Sequence, residues 1–234
     1  MKQYVNQTGM LVAVDCIIFG FDGDEMKLLL IKRGLEPEKG KWSLIGGFVQ
    51  PKEGLEKAAA RILKQLTSLE NVYMEQLQAF GEPGRDPVER TISIAWFALV
   101  DIHKYEKQLS DNYQPEWVSV KKIPPLVFDH RRMVDMAKKR LQYKAALHPL
   151  LFELLPDKFT IPQLLNLYEA VYDKKLDKRN FNRKLLAAKL LIKQKHKEKE
   201  KSRRGAFYYK LDKRKTYSHI DTFMSFLPSR GVFS

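Results

Sequence analysis

Cysteine is nearly absent from this chain of 234 residues. The single thiol, Cys16, lies in an apolar run, so no internal disulfide can form and no cysteine-rich metal site is available. A lone thiol in such a run reads as a small core residue, and so little cysteine fits a reducing cytoplasm. No apolar run reaches the ~18 residues that a membrane-spanning helix needs. The opening MKQYVNQTGM lacks the apolar core of a secretion signal. These absences lead to the expectation of a cytoplasmic protein with no membrane partner.

The last third is short of acid. Residues 151–234 hold 20 Lys and Arg against 9 Asp and Glu, an excess of 11, whereas the first 150 residues carry an excess of only 3. A basic block of domain size is the electrostatic footprint of a phosphate-backbone binder. A merely solvated basic domain is the plainer alternative. The length suggests one large or two modest domains, and 44% hydrophobic residues with 11% aromatics suffice for proper cores. Pro124, Pro125, Pro149 and Pro156 punctuate the join. The expected division is 1–148 and 149–234, with 148–158 a short linker or turn.

Val12 to Phe19 and Leu28 to Ile31 read as strands around the turn Asp22-Gly23-Asp24. Thr91 to Val100 reads as another strand, and Arg131 to Leu147 as a helix closing the first domain. Between them lies GGFVQPKEGLEKAAARILKQLTSL, residues 46–69. Ala58, Ala59, Ile62, Leu66 and Leu69 recur at helical spacing, which alone means one buried helix face. Gly47, Glu53 and Arg61 add a second pattern, G-x5-E-x7-R. With Lys41 to Val49 ahead of it, the segment resembles the Nudix box, G-x5-E-x7-R-E-U-x-E-E-x-G-U, where U is bulky and apolar.

The acidic part of that pattern is missing. Its first helical Glu falls on Ile62, the next pair on Gln65 and Leu66, and the late Gly on Ser68. Leu63 and Leu69 keep the apolar positions. Magnesium is a hard cation that wants oxygen ligands, carboxylates among them, and a hydrolase of this kind uses it to polarise the phosphoryl group and activate water. Ile62 and Leu66 offer no oxygen, and Gln65 only a neutral amide. The expectation is therefore no catalytic residues, no metal site, no cofactor and no enzyme.

The second domain opens on Thr160 and Gln163, spaced as a capping box, with Pro162 in the first turn. Leu164, Leu165, Tyr168 and Val171 continue an apolar face. After the turn Asp173 to Leu176, Asp177 caps a helix from Lys178 to about Leu190, with Phe181, Leu185 and Ala188 inward. Two amphipathic helices about a short turn make a helix-turn-helix. Lys178, Arg179, Asn180, Asn182 and Arg183 then suit a DNA-reading face, since Arg can bond guanine twice and Asn adenine twice. The plainer alternative is a solvated basic face. Lys193 to Arg204, KQKHKEKEKSRR, reads as a basic loop before the strand ending at Leu211. In a wing, Lys201, Arg203 and Arg204 would meet the phosphate backbone. The Phe-rich tail Thr216 to Ser234 has no assigned role.

This order of parts is similar to that of the NrtR-type Nudix-related transcriptional regulators. Gly84-Arg85-Asp86-Pro87, Phe128-Asp129-His130 and Phe159-Thr160 through Asn180-Phe181-Asn182-Arg183-Lys184 carry the resemblance. Asp129-His130 is read as structural. The resemblance implies an α+β chain, with a Nudix-like α/β/α sandwich on a mixed sheet followed by a winged helix-turn-helix. It implies a homodimeric repressor on palindromic double-stranded operator DNA, whose Nudix domain senses a small effector. One branch senses ADP-ribose and controls NAD metabolism. The AraR-type branch senses L-arabinose and controls sugar catabolism, and this sequence looks closer to it. A pentose needs one apolar face, from Trp42 or Trp96, and a few hydrogen bonds, from Glu53, Gln65 or Asp86. ADP-ribose stands second, its diphosphate met by Arg33, Arg61, Arg85 and Arg90. The expected effector residues are Arg33, Trp42, Glu53, Gln65, Asp86 and Arg90. A weak Nudix hydrolase is the reading from another class.

Overall fold

The computed structural model describes residues 7–105, 113–147, 149–198, 205–212 and 214. β1 (Leu11–Phe21) is buried on both faces. Val14, Cys16 and Ile18 enter one core and Ile17, Phe19 and Phe21 the other. A strand covered on both sides reads as a continuous apolar run rather than an alternating one. The sheet order is β3 (Trp42–Ser43), β2 (Met26–Lys32), β1, β6 (Thr91–Asp101), β5 (Met74–Phe80). β4 (Ile45–Phe48) adds to β1, and β7 (Glu116–Ser119) to β2. β1 and β6 run parallel from Leu11 opposite Thr91 to Phe21 opposite Asp101, while the other neighbours are antiparallel. α1 (Leu55–Thr67) covers one face with Ala58, Ala59, Ile62 and Leu63. α2 (Ile102–Tyr105) is a single turn. α3 (His130–Leu147) covers the other face with Met133, Val134, Ala137 and Leu141. This is the α/β/α sandwich on a mixed sheet that the sequence implied.

The registers decide where a site can form. The β1–β2 hairpin turns at Asp22, whose Oδ1 accepts the amides of Asp24 and Glu25 at 3.0 and 2.9 Å. β1 therefore begins, and β2 ends, at the far edge of the sheet. β6 begins and β5 ends at that edge too, with Phe80 opposite Ser93. The loop after β4 arrives there, and Val127 N–H donates to Trp42 O at 3.0 Å just before α3 starts. One edge thus gathers four loops and a helix N-terminus.

The join between the halves is not a linker. Pro149–Leu154 forms a 3-10 turn, and Leu151, Phe152, Leu154 and Leu155 are buried in the cluster that holds both α3 and the second domain. The run LLFELL is apolar at near-helical spacing, which a solvated connector would not be. On the wing side the same join borders a hollow of about 1150 Å³, lined among others by Glu75, Phe97, Tyr105, Phe152 and Lys210.

The second domain contains β8 (Phe159–Thr160), α4 (Ile161–Tyr172), α5 (Lys178–Ala187), β9 (Leu191–Glu198) and β10 (Ala206–Leu211), with sheet order β8-β10-β9. The capping box is present. Thr160 Oγ1 accepts the Gln163 amide at 3.4 Å, and Gln163 Oε1 accepts the Thr160 amide at 2.8 Å. Asp177 Oδ1 caps α5 through the Asn180 amide at 2.6 Å. Two expectations need correction. α5 stops at Ala187 rather than near Leu190, because Lys189 takes a left-handed φ of 52° and turns Leu190 into the core. Lys193 to Glu198 belong to strand β9, paired with β10, rather than to a loop. Lys201, Arg203, Arg204 and the tail Thr216 to Ser234 lie outside the described residues. No described helix is long and apolar enough to cross a membrane.

Candidate functional site

An acid interrupts the apolar run of β1, and a polar knot forms around it. Asp15 is 5% exposed. Ser93 Oγ donates to its Oδ2 at 2.6 Å, and Arg85 Nη2 stands 3.6 Å from the same oxygen. Arg85 forks onto Asp129, Nε to Oδ2 at 3.1 Å and Nη2 to Oδ1 at 2.8 Å. His130 closes the knot. Its Nδ1 accepts the Leu44 amide at 3.2 Å, so Nδ1 carries no proton and Nε2–H faces Asp15 Oδ1 at 3.5 Å. Burial pushes the His130 pKa below its usual value and the Arg85 cation adds to this, while Asp15 and Asp129 pull the other way. The ring is neutral near pH 7. The knot binds β1, β6, the loop after β5, the lead into β4 and the start of α3. Asp129 and His130 hold this edge together.

The glycines of the box let the chain pass over this knot. A Cβ at Gly46 would fall well inside contact distance of Asp15 Oδ1, and one at Gly47 would meet Ile62 Cδ1 at 3.0 Å. Glu53 then closes the loop on itself. Its Oε1 accepts the Gln50 amide at 2.8 Å and its Oε2 accepts Arg61 Nε at 2.9 Å, while Arg61 Nη2 reaches Phe48 O at 3.1 Å. The Arg61 guanidinium holds the Glu53 carboxyl down at about 2. Glu53 is committed to Arg61, so its expected role at the effector is not what the geometry favours.

At the positions where the box pattern has acids, Ile62 is buried against Gly47, Leu66 is half-buried and Gln65 is exposed on the solvent side of α1. These residues do not fit a divalent cation. Among the described residues, no three His, Cys, Asp or Glu stand together as metal ligands. Gln65 lies off the sheet side of α1, which belongs to Ala58, Ala59, Ile62 and Leu63.

The remaining expected effector residues divide. Arg33 lies over the Phe128 ring at 4.9 Å and Nε donates to Pro37 O at 2.7 Å. Trp42 is half-buried, with Lys32 Nζ 3.5 Å above its ring. Arg132 lies over Phe80 at 5.9 Å. Three cations on three rings therefore sit at one edge, a chemistry suited to anionic and aromatic groups. Asp86 Oδ1 accepts the Val88 amide at 2.9 Å and turns its own loop. Arg90 stitches that loop through Gly81 O at 2.8 Å and Glu82 O at 3.4 Å. Trp96 faces the α1 core at 5% exposure, so it offers no open ring. Sequence reasoning missed Asp15, Ser93, Lys32 and Arg132. The signal for Asp15 was there, a lone acid inside LVAVDCIIFGF.

The second site is a basic face. α4 and α5 meet through Tyr168 and Phe181, edge to face at 5.5 Å. Glu169 clamps the turn between them, accepting the Leu176 amide at 3.0 Å and Lys175 Nζ at 2.6 Å. Lys178, Arg179, Asn180 and Arg183 are exposed along α5. Asn182 is half-buried, its Oδ1 turned inward without a partner among the described residues, so it does not share that open face. Arg183 Nη2 donates to Asn180 Oδ1 at 2.9 Å. On the wing, Phe207 carries Lys193 Nζ at 3.7 Å and Lys197 Nζ at 4.5 Å.

A Nudix-type sandwich joined by a buried turn to a winged helix-turn-helix defines a two-part protein with a candidate DNA-binding half. Residues 9–137 match the NUDIX domain, and residues 151–211 match the NrtR DNA-binding winged helix domain. The chain belongs to the NUDIX family and, within it, to the NrtR-type Nudix-related regulators. It is 33% identical over 180 residues to the ADPR responsive transcriptional repressor NtrR of Acinetobacter baylyi, covering 75% of this chain and 72% of that protein. The crystal structure of Shewanella oneidensis NrtR complexed with a 27mer DNA aligns at TM-score 0.76 and 30% identity, over 89% of this chain and 96% of that one. The NUDIX domain of that same NrtR, complexed with ADP ribose, aligns at 0.51 and 28%, over 58% and 90%. An ADP-ribose pyrophosphatase of Methanocaldococcus jannaschii is 34% identical over 135 residues, covering 57% of this chain and 76% of that enzyme. The arabinose-responsive branch gains no support from these relatives, whose names and complexes point to ADP-ribose.

Proposed function

We propose that this chain is a transcriptional repressor that binds operator DNA through α5 and the wing and releases it when ADP-ribose occupies the NUDIX domain. The carrying observation is the exposed basic face of α5 together with the Lys193–Phe207–Lys197 cluster on the wing, fused to a box with Ile62, Gln65 and Leu66 at its acidic positions. The ADP-ribose assignment takes the place of L-arabinose and rests on the Acinetobacter repressor and the Shewanella complex. Arg33, Lys32, Arg132 and Trp42 supply cations and rings of the kind a dinucleotide-like ligand needs. The working unit is a cytoplasmic homodimer on a palindromic site, since helix-turn-helix dimers read half-sites about one helical turn apart. Its sensor spans 1–148 and its reader 149–234, with Lys201, Arg203 and Arg204 at the phosphates.

Titrating an operator complex with ADP-ribose, NAD and L-arabinose tests the reading. ADP-ribose should weaken operator binding while L-arabinose leaves it unchanged; the reverse result returns the assignment to the sugar. The pyrophosphatase relative favours a second reading, residual hydrolysis. Steady turnover of ADP-ribose with magnesium, on the order of the 1 per second low end of ordinary enzymes, would establish it. The side chains at the acidic positions predict none.

A further inference from the structure

Two sites about a helix apart must be joined by something stiff if one is to govern the other. α3 starts in the knot, where His130 holds the Leu44 amide and faces Asp15, and Asp129 grips Arg85. Twelve residues on, about 18 Å along the helix axis, the same helix meets α4. Gln142 Nε2 donates to Val171 O at 2.8 Å, and Tyr172 Oη donates to Gln142 O at 2.9 Å. Val171 lies in the last turn of α4, where carbonyls have no partner within their own helix. Gln142 therefore caps α4 from outside. Burial pushes the Tyr172 phenol up to about 12, so it keeps the proton it donates. From there the contact runs through rings, Tyr172 stacked on Tyr168 at 6.3 Å and Tyr168 edge to face with Phe181 of α5 at 5.5 Å.

We infer that α3 is the lever between sensor and reader, and that Gln142, through its paired hydrogen bonds to Val171 and Tyr172, is the residue that positions the helix-turn-helix against it. Any shift of the knot that tilts α3 moves the cap of α4, and with it the turn that sets α5. A chain of packed groups carries coupling only if its end point has two arrangements, and we place that end point at the turn beginning with Asp173, left-handed at φ 53° and held by Glu169. The effector part of this inference rests on the function proposed above; the mechanical part does not.

The experiment uses the full chain and has two arms. In the first, operator affinity is measured with and without saturating ADP-ribose for wild type, Gln142→Leu and Tyr172→Phe. Wild type should weaken by 5- to 150-fold, the ordinary range of such coupling. Both variants should still bind operator and ADP-ribose, but with that ratio cut at least several-fold. Variants that keep the full ratio overturn the inference. Wild type that binds operator yet ignores ADP-ribose sinks the effector reading instead, and the second arm then decides the lever. There, Ser93→Ala loosens the knot without ligand, and amide exchange is followed over residues 171–176. Faster exchange in Ser93→Ala, with no further gain when it is added to Gln142→Leu, supports the lever, because coupled sites are not additive. A turn indifferent to Ser93→Ala overturns it.

Discussion

At position 46 a methyl group would press into the Asp15 carboxyl, whereas at Gly54, the N-cap of α1, nothing lies within 4 Å of an added Cβ. Gly46→Ala should therefore cost ~1–3 kcal/mol as an overpacking change, and Gly54→Ala, where only the N-cap preference for glycine over alanine is lost, no more than ~1 kcal/mol. Urea denaturation of the two variants checks the contrast. His130 sets a pH dependence. Its folded pKa lies below the unfolded value of about 6.5, so between those two values the unfolded state binds more protons. Stability should fall as pH drops from about 6.5, and His130→Gln should flatten that slope in urea midpoints taken at pH 7.5 and 5.5. The Glu53 carboxyl, held down at about 2, acts in a different window. Its contribution is present above ~4.5 and is lost as pH falls toward 2. The sequence showed which residue types stand near the box but not which partners use them up. Glu53, Asp86 and Arg90 looked available for a ligand in the sequence, but their hydrogen bonds run to Arg61, Val88 and Gly81, and no spacing rule foretells the last.

At the scale of elements, periodicity served the helices well and the wing poorly. The faces Phe181–Leu185–Ala188 and Leu164–Tyr168–Val171 are buried as their spacing predicts. Thr160→Ala should cost ~1 kcal/mol by removing one half of the capping box, measurable by thermal or urea unfolding. β9 was unreadable as a strand because LIKQKHKE has almost no apolar alternation. It pairs through its backbone with β10, and its lysines lie over Phe207. The same placement separates two roles on DNA. Arg183→Ala should lower affinity for the operator by ~1–3 kcal/mol and leave random DNA nearly as before. Lys193→Ala and Lys197→Ala should each weaken both alike and reduce the salt slope by about 1. Anisotropy titrations at several salt concentrations separate the outcomes. Equal loss on both DNAs for Arg183→Ala would mean that α5 positions rather than reads.

For the molecule as a whole, the change of charge near residue 150 falls between the residues matched to the NUDIX domain, 9–137, and those matched to the winged helix domain, 151–211. It gave no warning that the border is hydrophobic. Leu151 is fully buried and Phe152, Leu154 and Leu155 nearly so, in a cluster continuous from β1 to Leu190. Leu151→Ala should therefore cost ~2–5 kcal/mol and shift one shared unfolding transition rather than split it in two, as calorimetry would show. A protease offered the folded protein should find nothing to cut between 149 and 155, because cleavage needs exposed backbone that can yield. Either half prepared alone would expose leucines and phenylalanines to water, the kind of patch that drives aggregation. The winged helix half cannot simply be lifted off and grafted to another domain. Any new partner would have to arrive with its own greasy socket for the turn at 149–154 and its own glutamine for the end of α4.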